Sequence, residues 1–139
     1  KSATIENYSI TDDKDVQTTA IVKGGKFTIH MDVDFHEDIA APIFAFSIKN
    51  IKGTEITGTN TMYEKAFLEP VKKGDKKQIT FTQEMNLQGG EYLLSLGVTG
   101  FDGSDFKVYH RLYDVVNITV ISDKDTVGFY DMNSVIEVK

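Results

Sequence analysis

The stretch Phe27-Thr28-Ile29-His30-Met31-Asp32-Val33-Asp34-Phe35 alternates apolar and polar residues without a break. Successive side chains of a strand point to opposite faces, so this pattern predicts a long strand with one buried and one polar face. The pattern recurs on both sides of it. Phe44, Phe46 and Ile48 alternate with Ala45, Ser47 and Lys49. Ile79, Phe81, Met85 and Leu87 form a further row, opposite Thr80, Thr82, Glu84 and Asn86. Tyr92, Leu94, Leu96 and Val98 follow, then Phe106 to Leu112 and Val115 to Ile121. Shorter strands are expected at Ile5–Ile10, Val16–Val22, Thr54–Thr57, Gly128–Met132 and Val135–Val138.

Turn signals separate these runs, among them Asn50-Ile51-Lys52-Gly53, Gln88-Gly89-Gly90 and Gly100-Phe101-Asp102-Gly103-Ser104. One helical turn is expected, Met62 to Leu68, which Pro70 would end. Many short strands with frequent turns read as an all-β, antiparallel β-sandwich, jelly-roll or immunoglobulin-like. The 139 residues amount to one domain, at about 100–150 residues each. Hydrophobic residues at 40% and charged residues at 26% exclude disorder as the main state. The apolar stretch Ala40 to Phe46 is interrupted by Pro42 and falls far short of the roughly 20 residues that span a bilayer.

Charge and chemistry narrow the function. A net charge of −6 opposes docking on polyphosphate, so nucleic acid is not an expected partner. The absence of cysteine removes thiolate nucleophiles, disulfides and thiolate metal sites. His30, His36 and His110 have no His-Glu-x-x-His spacing, and Gly53-x-x-x-x-Gly58 continues with Thr59-Asn60 where a phosphate loop needs Lys and Ser or Thr. No nucleophile elbow or dinucleotide fingerprint occurs. The turn Asp102-Gly103-Ser104-Asp105 supplies about three of the roughly six to eight oxygens a calcium ion takes. The sequence thus offers no catalytic set, no metal set and no cofactor. The Lys-rich stretch Lys72–Lys77 reads as a solvated loop guarding a strand edge.

A binding module remains. Tyr63, Tyr109, Tyr113 and Tyr130 fall away from the main core rows. Sugar rings present apolar C–H faces and a rim of hydroxyls, so their sites combine an aromatic face with Asp, Asn, Arg or His. Strict alternation puts Lys107, Tyr109, Arg111 and Tyr113 on one strand face. Tyr109, Arg111 and Tyr113, with His30 and Asp32 from another outward face, are the candidate carbohydrate-binding residues. The same Tyr–Arg stripe suits a protein interface equally well.

The segment Phe44-Ala-Phe-Ser-Ile-Lys-Asn-Ile-Lys-Gly53-Thr-Glu-Ile-Thr-Gly58-Thr-Asn-Thr61 resembles the carbohydrate-binding C-terminal domain of Wzt-type polysaccharide ABC transporter ATPases. That family has a strand of Gly-Phe-x-Ile-Lys character, a turn glycine, then Phe-Gly-Thr-Asn-Thr. Ala45 stands where Gly is frequent, Thr57 where Phe is usual, and the tail lacks the Pro and Trp common there. Gly74-Asp75, Gly90-Glu-Tyr-Leu-Leu-Ser-Leu-Gly97, Asp114 and Gly128 follow in the family's order, so the resemblance covers nearly the whole chain. Gly58, Thr59, Asn60 and Thr61 are read as structural, Gly58 for a backbone conformation closed to other residues and the three polar residues for bonding neighbouring backbone.

The resemblance implies a non-catalytic sandwich, residues 1–139, hanging from a cytoplasmic ATPase at the inner face of the plasma membrane. Its partners would be a lipid-linked polysaccharide such as an O-antigen, the transporter's ATPase and membrane subunits, and a second copy in a homodimer that sometimes exchanges the last strand. Its role would be to select finished chains for export. A structural or dimerisation domain without glycan affinity, and an extracellular carbohydrate-binding module of a glycoside hydrolase, stay open beside it.

Overall fold

The computed structural model describes residues 1–139. Its eight strands are β1 (Ala3–Asp12), β2 (Ala20–Val22), β3 (Lys26–Phe35), β4 (Ile43–Asn50), β5 (Glu55–Asn60), β6 (Lys76–Glu84), β7 (Gly90–Asp102) and β8 (Asp105–Ile121). They form two packed sheets, one of order β1-β3-β6 and one of order β2-β8-β7-β4-β5. All pairs are antiparallel except β2 with β8, which run parallel. There is no helix.

The alternation in β3 is the centre of the core. Phe27, Ile29, Met31, Val33 and Phe35 are all buried, while Thr28, His30, Asp32 and Asp34 face outward. Across the interface lie Phe44, Phe46 and Ile48 of β4 and Leu94, Leu96 and Val98 of β7. Two edge-to-face ring pairs join the sheets, Phe35 with Phe44 at 6.1 Å and Phe46 with Phe81 at 5.0 Å between centroids. Each such pair adds about 0.5–1.5 kcal/mol to what burial alone contributes.

Several boundaries differ from the sequence expectation, each for a local reason. The segments 106–112 and 115–121 are one continuous strand, β8, because Asp114 takes a left-handed conformation (φ 53°) that absorbs extra residues as a bulge opposite Ser95. The strand expected to stop at Gly58 runs through it to Asn60. Conversely, β6 ends at Glu84, because Met85 leaves the ladder and exchanges backbone bonds with the Gly24–Gly25 loop (2.7 and 2.9 Å). The expected helix over 62–68 is a set of hydrogen-bonded turns, broken by left-handed Lys65 (φ 54°).

The tail forms no strand. Tyr130 makes an isolated bridge to Leu87, and residues 134–139 lie exposed without regular secondary structure. What holds the tail is Asp131, only 3% exposed. The Lys23 and Lys124 ammonium groups stand 3.0 and 2.8 Å from its Oδ2, and the Asn133 N–H donates to Oδ1 (2.8 Å). The Asp131 N–H donates in turn to the Asn86 carbonyl (2.8 Å). Lys124, then the Asn133 amide, then Lys23 hold the carboxyl far below the ordinary carboxylate range.

Candidate functional site

Outward positions on the five-stranded sheet carry unusually small side chains. Alternation turns Ala45 and Ser47 of β4 outward, and the pairing register sets Gly58 of β5 opposite Ser47 and Gly97 of β7 opposite Ala45. With Ser95 they make a low shelf. Two adjoining hollows of about 210 and 420 Å³ lie on it, sharing Ala45, Ser47 and Glu55. Arg111, Tyr113 and Lys49 border the first hollow, and Asn60 and Tyr63 the second.

The β8 bulge sets the aromatic wall. Ser95 Oγ accepts the Asp114 N–H (2.9 Å), which pins the left-handed residue immediately after Tyr113. The Tyr113 ring, 63% exposed, then stands between two cations, with Lys49 Nζ 5.7 Å and Arg111 Cζ 6.0 Å from its centroid. Lys49 is also paired with Asp114 at 3.6 Å. The Arg111 guanidinium has neither an ion pair nor a hydrogen bond within the chain. An aromatic face, five free guanidinium donors and a Glu55 carboxylate across a flat floor suit a flat, hydroxyl-rimmed ligand.

The five residues anticipated from sequence are not brought together. Arg111 and Tyr113 share the shelf. Tyr109 does not, because a second β8 irregularity opposite Val98 and Thr99 breaks the alternation at that residue. Its half-buried ring instead packs towards Gly100, beside the Ala41 carbonyl, and burial first, then the charges of Asp102 and Glu37, push its phenol pKa up. Expecting Lys107, Tyr109, Arg111 and Tyr113 on one face therefore fails at the bulge. His30 and Asp32 lie on the outer face of the opposite sheet, bordering a hollow of about 260 Å³ with Asn7, Tyr8, Ser9 and Gln17. There the His30 Nε2 is hydrogen-bonded to the Thr11 hydroxyl (2.8 Å).

The residues 58–61 hold the edge of the sheet. Gly58 is extended, not left-handed, which corrects the conformational reading. Its requirement is steric, since a Cβ there would lie 2.5 Å from the Phe46 carbonyl oxygen. Buried Thr61 accepts the Phe44 N–H on Oγ1 (3.0 Å) and donates its own N–H to the Phe44 carbonyl (2.9 Å). Asn60 Oδ1 caps the following turn by accepting the Tyr63 N–H (2.7 Å), and the Thr59 hydroxyl donates to Glu64 (2.6 Å).

Sequence reasoning missed Lys49, Glu55, Ser95 and Gly97 as shelf residues. Their outward orientation follows from the same alternation as the core rows, but that β4 lies between β5 and β7 does not. A larger cleft of about 740 Å³ opens between the edge strands β5 and β6, floored by Phe46, Ile56 and Phe81 and bordered by Phe129 and Tyr130 of the tail. No three metal-ligating side chains converge anywhere. No helix is long and apolar enough to cross a membrane.

Against known families, the sequence profile of the Wzt C-terminal domain matches residues 1–132. The chain belongs to the Wzt C-terminal domain family. The crystal structure of the C-terminal domain of Wzt superposes with a TM-score of 0.90 at 25% identity, covering 99% of this chain and 84% of that one. More distant likenesses, both at 10% identity and a TM-score of 0.45, are to the CARDB domain of the PF1109 protein from Pyrococcus furiosus and to a β-glucosidase from Listeria innocua. Each covers 82% of this chain, with 94% of the first structure and 16% of the second. No curated protein sequence matches. The Wzt C-terminal domain assigns the chain to an ABC transporter.

Proposed function

We propose that this domain recognises the transported polysaccharide, without catalysing a reaction, on the outer face of the five-stranded sheet, so that finished chains are selected for export. The carrying observation is the unpaired Arg111 guanidinium beside the exposed Tyr113 ring, over a floor of Ala45, Ser47, Ser95 and Gly97. A sugar ring stacks on Tyr113 while Arg111 donates to its hydroxyls. In this reading His30, Asp32 and Tyr109 contribute no contact to a ring bound there. In this reading the domain works at the cytoplasmic side of the membrane, with the ATPase and membrane subunits as partners, which its membership of the Wzt C-terminal domain family supports.

Calorimetric titration of the domain with polysaccharide from the producing organism and from an unrelated strain tests this. Binding to the native polymer that weakens several-fold in Arg111→Ala and Tyr113→Ala supports the reading. Unchanged affinity in both folded variants rules out the shelf.

A second reading concerns self-association, and the tail favours it. Val135, Ile136 and Val138 are 91, 81 and 93% exposed, while β5 and β6 leave unpaired edges on either side of the 740 Å³ cleft. We propose a homodimer in which residues 134–139 of each copy pair with the other, Asp131 fixing where the exchanged arm departs. A chain ending at Asn133 is then monomeric in light scattering, and a dimer surviving that truncation contradicts the exchange.

A further inference from the structure

The hairpin joining β7 and β8 runs on past the sandwich. It leaves the body at Gly100, where the Ala41 carbonyl and the Tyr109 ring close in, and every residue from Phe101 to Val108 is exposed. The overhang beyond Gly100 is about 7 Å, two residues at ~3.3 Å each. Hairpin ends of this kind ordinarily carry turn residues and charge. Here the cross-strand partners Phe101 and Phe106 stack edge to face at 5.4 Å yet remain 44 and 54% exposed, with Val108 at 49%. Mutual stacking staples the two strands, but it leaves the outer faces of both rings in water.

What lies next to this hairpin is the path of the polypeptide before Ala3. The Ile5 N–H donates to His110 Nδ1 in the hairpin stem (2.8 Å), and the Ser2 carbonyl accepts the His36 N–H (2.8 Å). The Ser2 hydroxyl donates to Glu37, beside the 37–42 loop against which the stem packs. The anchored tail sits at Asn86 and Gln88, next to the start of β7 at the opposite end of the long strands. A Wzt C-terminal domain is by its family description the later part of a longer polypeptide. Whatever precedes it there reaches the sandwich against the stem of this hairpin.

We propose that the Phe101–Val108 hairpin is the surface on which the preceding domain of the same polypeptide docks, its two phenylalanines seated in an apolar recess of that domain. Asp102 and Asp105 flank the rings, so the recess is rimmed by basic side chains. The hairpin thereby joins the sandwich to that preceding domain without involving the shelf. The proposal rests on the family membership and the position of the hairpin, and it stands whether or not the shelf binds glycan.

Hydrogen exchange of the full-length transporter polypeptide, compared with the 1–139 domain alone, tests it. Amides of Phe101–Val108 exchange about tenfold or more slowly in the full-length protein, and the double variant Phe101→Ser/Phe106→Ser loses that difference while melting within a few degrees of the parent domain. Equal exchange of the hairpin in the two forms overturns the proposal. So does protection that appears in the isolated domain as its concentration rises, which assigns the hairpin to a second copy. Glycan titration of the isolated double variant is unchanged under the proposal; lost binding there assigns the hairpin to the ligand and overturns it.

Discussion

Asp131 and Arg111 are charged groups used in opposite ways. Asp131 is buried, faces two lysines and a backbone N–H, and carries the tail. Arg111 stands on an open shelf beside the Tyr113 ring, with no carboxylate paired to it. A buried carboxylate has to be paired, because an uncompensated charge out of water is costly. A guanidinium on the surface has no such need, and its donors stay available. The fold pairs Asp131 where position matters and leaves Arg111 unpaired on an open surface. The outer face of β1-β3-β6 resembles the first case more than the second: His30 bonds Thr11, Thr28 bonds Thr82, and Asp34 pairs with Lys76 at 2.8 Å.

Substitutions that separate stability from binding break this contrast if it is wrong. The largest loss of stability is expected for Asp131→Asn, which leaves Lys23 buried without its counter-ion, and glycan affinity should not change. Its pH dependence has a definite sign. The folded-state pKa lies below the ordinary value of 3.8, so the charge contributes fully above that value and its contribution fades as pH falls through the folded pKa. The melting-temperature gap between the parent and Asp131→Asn should therefore be constant from about pH 5 to 7 and narrow below about pH 4. A gap that widens in acid contradicts the pairing.

Next comes Gly58→Ala, which forces a Cβ against the Phe46 carbonyl and should cost about 1–3 kcal/mol in chemical denaturation. A neutral result would mean that β5 can move away from β4. Arg111→Ala and Tyr113→Ala should each lose about 1 kcal/mol of glycan affinity, roughly fivefold, with unfolding midpoints unchanged. The smallest effect belongs to His30→Ala and Asp32→Ala, which should leave affinity within about 0.5 kcal/mol of the parent. A larger loss there would move the ligand to the other sheet.

The core was legible in sequence because β3 and β4 bury one face and wet the other, so period two survives along their length, and in β7, buried on both faces from Leu94 to Gly100, large apolar residues still alternate with small ones. Parity failed where the strand itself is irregular. Tyr109 sits in a bulge, and Asp114 joins what looked like two strands into one. Alternation also misled in the tail, where Val135 and Val138 read as a strand although no neighbour in the same chain pairs with them. The outward direction of Arg111 and Tyr113 was readable. The shelf beneath them was not, because it depends on which strands are neighbours, and pairing partners far apart in sequence leave no local pattern. Gly58 was recognised as special for the wrong reason, since steric closeness of β4 is invisible until the two strands are paired.

The most direct test of the central claim is an NMR titration of the isotope-labelled domain with polysaccharide from the producing organism. The account predicts saturable shifts at the amides of Ala45, Ser47, Ser95, Gly97, Arg111 and Tyr113, with those of His30 and Asp32 unmoved. Shifts confined to the β1-β3-β6 face, or none at any polymer concentration, would contradict it.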